Sequence, residues 1–153
     1  FFADMEAAWR NIGGAVRGGG RLALMGWSPE RSEWREAMID AVAMGRDMPE
    51  PQPGAPGPFG LADRDRTKAW LRAGGFDDIR IETRALPFFA GRDTNDALEY
   101  MSQVPFVAGT LASLDGAARA EAIERLRATM EAHETSDGVL FDSEALFVTA
   151  TKR

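Results

Sequence analysis

Leu22-Ala23-Leu24-Met25-Gly26-Trp27 is apolar at successive positions, directly after three glycines, Gly18-Gly19-Gly20. A half-buried strand alternates. A strand that is apolar throughout is expected to be buried on both faces, as inside a parallel sheet covered by helices. The flanking sequence supplies those helices. Asp4 is a good N-cap, and Ala8, Trp9, Ile12 and Val16 follow at helical spacing, with Phe2 near the place of a hydrophobic staple. Gly13 and Gly14 weaken that helix by about 1 kcal/mol each relative to Ala, which points to close approach of another element. A second helix is predicted over Glu33 to Met44, with Trp34, Ala37, Met38 and Ala41 on one face. Asp63 caps a third, through Ala73, which Gly74-Gly75 stops. Thr94 is the expected cap of a short helix carrying Leu98, Met101 and Val104 and ending near Pro105. Asp115 caps the longest helix, with Ile123, Leu126, Met130 and His133 on one stripe and Glu121 facing Arg125 outside.

Ile79 to Arg84 alternates apolar and polar residues and reads as a strand near a sheet edge, and Ala145 to Ala150 as a final strand. Three strands among helices give an α/β pattern that looks like half of a sheet. Residues 49–58 hold five prolines and two glycines, an extended loop or lid too short to divide the chain into two cores. A single domain over residues 1–153 is expected.

The charge balance is 18 basic against 24 acidic side chains, net -6, without the basic footprint of a nucleic-acid binder. No cysteine and one histidine exclude disulfides, thiolate zinc sites, Fe–S clusters and a cysteine nucleophile, and leave nothing to build a buried transition-metal site. No apolar run approaches the ~18 residues of a membrane helix, and Asp4 interrupts any signal-peptide core. The expected setting is cytoplasmic, without a membrane partner.

Several motifs read more simply than their letters suggest. Gly18-Gly19-Gly20-Arg21-Leu22-Ala23 matches a dinucleotide-binding pattern, but such glycines must follow a strand and open a helix. Here the order is reversed. Gly26-Trp27-Ser28-Pro29-Glu30 resembles a nucleophile elbow that lacks its second glycine. His133 stands at a helix end, where the macrodipole favours it, and no orienting partner can be named for it. Asp77, Asp78, Asp142 and Glu144 are expected to face solvent. No carboxylate pair has a spacing suited to general acid–base chemistry.

Phe1-Phe2-Ala3-Asp4, Ala7-Ala8-Trp9, Asn11-Ile12 and Gly19-Gly20-Arg21-Leu22-Ala23 together resemble a known arrangement. They are similar to the helix and strand after the fourth strand of class I S-adenosylmethionine-dependent methyltransferases, most closely the quinone-biosynthesis and small-molecule branch. Pro56-Gly57-Pro58-Phe59-Gly60-Leu61-Ala62-Asp63 and Ala73-Gly74-Gly75-Phe76-Asp77-Asp78-Ile79 agree with it as well. Gly18 replaces a proline of the family, and Arg64 stands where a helix-starting proline is common. The likeness runs over essentially all 153 residues but over the C-terminal half of the family's domain. The family's first strand, its glycine-rich cofactor loop and the acidic residue that holds the ribose have no counterpart here.

The resemblance implies a partial Rossmann-like sheet in the order 5-7-6. Its fifth strand would be Arg21 to Trp27, its sixth Ile79 to Arg84, and its antiparallel seventh Glu144 to Thr151. Helices would flank the sheet, and the region between the fifth and sixth strands, with a helical lid or insertion from Phe88 to Leu114, would cover the substrate. The chain opens on Phe1 without an initiator Met, so it is expected to be a piece of a longer protein. The implied activity is methyl transfer from S-adenosylmethionine to a small lipophilic or aromatic molecule, a displacement served by alignment and exclusion of water. Such a site needs aromatic walls, and Phe1, Phe2, Trp27, Trp34, Phe59 and Phe106 are the candidates. No catalytic, cofactor-binding or metal-ligating residue is assigned. These residues alone are not expected to bind S-adenosylmethionine. The open side of Leu22–Trp27 is expected to be covered by the missing N-terminal half or by another copy in a homo-oligomer. The alternative is a non-enzymatic α/β module that oligomerises or binds an apolar ligand.

Overall fold

The computed structural model describes residue 2, residues 4–48 and residues 57–153. In chain order its elements begin α1 (Met5–Ala15), β1 (Arg21–Ser32), α2 (Glu33–Ala43), α3 (Arg64–Ala73), β2 (Phe76–Ala85) and β3 (Phe88–Gly91). They continue α4 (Thr94–Ser102), α5 (Pro105–Ser113), α6 (Gly116–Ala132), β4 (Glu134–Thr135), β5 (Gly138–Phe141) and β6 (Ser143–Lys152). The fold is mixed α/β with two small antiparallel sheets. The chain divides into two compact units.

The first unit comprises residues 1–31, 51–86 and 144–153. Its sheet has the order β1-β6-β2. β2 and β6 are antiparallel, with Phe76 opposite Lys152 and Ala85 opposite Glu144. β1 also runs against β6, because it starts where β6 ends: Gly19 N–H donates to the Lys152 carbonyl and Lys152 N–H to that of Gly20. The core is Trp9, Leu71, Phe76, Val148 and Ala150, with Ile12, Leu22, Leu24 and Ile81 packed against it. α1 and α3 therefore lie on one face of the sheet. Asp4 and Asp63 cap them as the sequence predicts, accepting from Ala7 N–H and Arg66 N–H. The two helices meet at glycines. A Cβ on Gly13 would overlap the Gly74 carbonyl oxygen, and one on Gly74 would stand 2.6 Å from that of Trp9.

One expectation fails in this unit. Leu22–Trp27 is not buried on both faces: Leu22 and Leu24 turn to the core while Ala23 and Met25 are exposed, Met25 at 46%. The reason is position. β1 is an edge strand here, and the unit's helices cover one side of its sheet.

The second unit comprises residues 32–50 and 87–143. Four helices, α2, α4, α5 and α6, enclose Met38, Val42, Met101, Val107, Leu126 and Met130, each fully buried. A short antiparallel sheet, β3-β5-β4, closes the unit. This sheet is absent from the three-strand expectation, because strands of two to four residues are too short to show alternation. The cap of α4 is Asp93, not Thr94: Asp93 accepts from Asp96 N–H at 3.0 Å. Thr94 is the first helical residue, and both its N–H and its hydroxyl donate to Glu134. Pro105 does more than end α4; it opens α5 at its first turn, where the missing N–H costs nothing. Asp115 caps α6 as expected. The Glu121–Arg125 pair does not form, and Arg125 reaches the Asp40 carbonyl at 3.5 Å.

Candidate functional site

Of the six aromatic candidates, Phe1 lies outside the described residues. Phe2, Trp27 and Phe59 belong to the first unit, Trp34 and Phe106 to the second. Phe2 is 56% exposed and rims a shallow groove of about 340 Å³ along α1, with Ala7, Ala8, Asn11 and Ile12. Trp27 and Phe59 sit on segments that touch. Trp27 N–H donates to the Pro58 carbonyl at 3.3 Å, and Leu61 lies against Gly26, 3.3 Å from where a Cβ would stand. Both rings are half-buried. Gly26 eases this contact, so the Pro58–Leu61 segment and the middle of β1 come together at a residue without a side chain, while the proline-rich stretch expected as a loop or lid lies, over residues 49–56, outside the described residues.

Trp34 is 3% exposed and stacks on Phe88, centroids 4.8 Å apart. It fills the core of its unit. Phe106 lines instead an open, shallow groove of about 470 Å³. Phe106, Gly109, Thr110 and Ser113 form one wall, being three and four residues apart on one face of α5; Arg46, Asp47 and Met48 form the other. Gly109 leaves open space where a Cβ would be. The Thr110 and Ser113 hydroxyls donate back to helix carbonyls, Phe106 and Thr110, and keep their oxygen lone pairs for a guest. Arg46 is tied down through Nε to the Ala43 carbonyl and Nη2 to that of Val42, the last carbonyls of α2. Sequence reading selected Phe106 but missed this wall, although the spacing of Phe106, Gly109, Thr110 and Ser113 carries the signal.

The lone histidine is engaged at both nitrogens. His133 Nδ1–H donates to the Thr129 carbonyl at 2.8 Å, which fixes the proton on that nitrogen because a carbonyl only accepts. Nε2 faces Glu33 Oε1 at 3.4 Å, and the ring stacks on Phe141. Glu33 Oε2 accepts from Asp142 N–H at 2.6 Å. A partner a hundred residues away explains why none could be named from the sequence. The arrangement sets the end of α6 beside the start of α2.

The glycine turn is spent as well. Gly19 N–H donates to Lys152 and Gly20 N–H to Arg17, so neither amide can cradle a phosphate or the carboxylate of a cofactor. Ser28 is buried inside β1, not raised on an elbow. Among the described residues no group of three His, Cys, Asp or Glu could hold a metal ion, and no helix is long and apolar enough to cross a membrane. Among the described residues, shifts in acidity are confined to exposed ion pairs. Arg84 holds the Glu82 carboxyl below the usual range, and Arg92 does the same to Asp96, through its side chain first and its backbone N–H second. Two open grooves are present among the described residues, one lined by Phe2, Asp4 and Ile12 and the other by Arg46, Asp47, Met48 and Phe106. No family model matches the chain, and no curated protein is matched by it.

Proposed function

We propose that residues 1–153 are the C-terminal, substrate-side part of a methyltransferase that moves a methyl group from S-adenosylmethionine to a small, lipophilic or aromatic molecule. The observation that carries this reading is the sheet of the first unit: β1-β6-β2, with the last strand antiparallel between two strands that each follow a helix. It supports the reading because the family likeness implies an antiparallel strand between two others, in the order 5-7-6. The scarcity of titrating groups agrees with it, since alignment and dryness carry a methyl displacement further than proton transfer does. The described residues do not fit S-adenosylmethionine itself, because the glycine turn has no helix behind it and its amides are taken. Contacts to the methyl donor are assigned to polypeptide outside these residues. Trp27 and Phe59 of the first unit are the substrate walls in this reading, and the Phe106 groove of the second unit is a separate candidate.

The test uses the polypeptide as its gene encodes it. With S-adenosylmethionine labelled in the methyl group and a panel of lipophilic phenols and quinols, label passes to an acceptor. Trp27→Ala then lowers kcat/KM by about tenfold, the loss of one well-placed wall. No cofactor binding by calorimetry, together with no labelled product, would overturn the reading. The groove beside Phe106 favours a second reading, an apolar-ligand module without cofactor chemistry, which predicts ligand binding indifferent to S-adenosylmethionine.

A further inference from the structure

The segment Pro58–Arg64 is tied to both outer strands of the first unit's sheet, β1 and β2. At its start the Pro58 carbonyl accepts from Trp27 N–H on β1, and Leu61 packs on Gly26 of the same strand and against the unit's core. Two turns shape what lies between. Gly60 N–H donates to the Gly57 carbonyl at 3.1 Å, and Ala62 N–H to that of Phe59 at 3.0 Å. The Leu61 carbonyl accepts from the hydroxyl of Thr67, a fully buried residue of α3. At the far end Arg64, the first residue of α3, crosses to β2. Its Nη1 donates to the Ile81 carbonyl at 3.3 Å and its Nη2 to the Thr83 hydroxyl oxygen. The helix itself does not require an arginine there. Its first position suits even proline, and Asp63 supplies the cap whatever follows it. What the guanidinium adds is a planar fork, whose two outer nitrogens take separate acceptors on one strand.

We propose that Arg64 is a positioning residue, on the reading that Trp27 and Phe59 wall the methyl acceptor: by pinning the start of α3 to β2, it sets where this strap holds Phe59 relative to Trp27. Packing of Leu61 has no direction of its own. The Thr67 bond fixes one point of the strap, about which the first turn of α3 can still swing. The Arg64 fork supplies a second fixed point, and two points set a direction. Arg64 touches no substrate in this arrangement and acts through the backbone that carries Phe59. A wall displaced by a fraction of an ångström holds its guest less well, which is felt in binding before it is felt in the chemical step.

Arg64→Ala and Thr83→Val, made in the full-length protein, test this by two readouts. In Arg64→Ala the Gly60 and Ala62 amides should exchange with solvent at least about threefold faster, while those of β6 keep their rates. KM for a phenol or quinol that the parent methylates should rise about threefold or more, with a smaller fall in kcat and an unmoved KM for S-adenosylmethionine. Thr83→Val should do the same in weaker form, and adding it to Arg64→Ala should cost nothing further, since both act on one tie. Unchanged exchange at Gly60 and Ala62 in Arg64→Ala overturns the proposal. So does faster exchange with the acceptor KM unmoved, or an equal rise in both KM values. A parent that binds S-adenosylmethionine but methylates no acceptor overturns the methyltransferase reading, and the role of Arg64 with it; failure of the KM arm in an active parent overturns the role of Arg64 alone.

Discussion

Gly13 and Gly14 are neighbours in one helix and look alike in the sequence, yet they answer to different physics. A Cβ on Gly13 would run into the Gly74 carbonyl, whereas nothing lies within 4 Å of one on Gly14. Helix propensity favours Ala over Gly at both positions by about 1 kcal/mol. At Gly14 that gain stands alone, and Gly14→Ala should raise stability by about 0.5–1 kcal/mol. At Gly13 the helices must part, and overpacking of about 1–3 kcal/mol outweighs the gain. Chemical denaturation of the two variants should shift the midpoint in opposite directions; the same sign at both would mean that α1 and α3 do not meet through these glycines. The sequence shows that a helix tolerates two poor formers but not which one is squeezed. The same limit applies to the aromatics. Trp34 and Phe106 both stand at helix positions with apolar neighbours, and only packing separates a ring stacked inside the core from one lining a groove.

At the scale of elements, caps were the most legible signals, because the Asp side chain and the amide it satisfies lie three residues apart. Asp4, Asp63 and Asp115 all perform as read. α4 shows why the rule slips. Asp93 and Thr94 are both good caps, and the choice goes to Asp93 because Thr94 is recruited by Glu134, forty residues away. Arg92 then grips the first turn of α4. Its Nε and Nη2 donate to the two oxygens of Asp96 at 3.1 and 3.2 Å, and its backbone N–H donates at 2.9 Å. These bonds hold the Asp96 carboxyl below its ordinary value. A depressed folded pKa means that the tie supports folding above the ordinary aspartate value of about 3.9 and is lost as pH falls through the lower folded value. A carbon-detected titration of Asp96 should therefore show a midpoint below that of a free aspartate, rising towards it in Arg92→Ala and in high salt. A normal midpoint in the parent chain would remove the tie. The short strands β3, β4 and β5 left no comparable trace, since pairing across the chain, not local pattern, makes them strands.

For the whole molecule, the alternation of helices with Leu22–Trp27, Ile79–Arg84 and Ala145–Ala150 was enough to recognise an α/β chain, because each of those strands is long enough to carry its pattern. The second sheet is not legible because its strands are two to four residues long, and of the groove beside Phe106 only the α5 wall has a spacing that shows in the sequence. That groove allows a test in which stability and function are expected to move apart. Gly109 sits mid-helix with nothing within 4 Å of a Cβ placed there, so Gly109→Leu should project into the groove. Leu is also the better helix former, by about 0.5–1 kcal/mol, so the melting temperature should hold or rise. If the groove receives the methyl acceptor, kcat/KM of the full-length protein for lipophilic acceptors should fall by about tenfold or more, and Phe106→Ala should lower it by a similar factor through lost contact. Loss of turnover in a chain that melts no earlier cannot be put down to unfolding. Turnover unchanged in both variants would show that the acceptor is held elsewhere, and would leave Trp27 and Phe59 as the walls that matter.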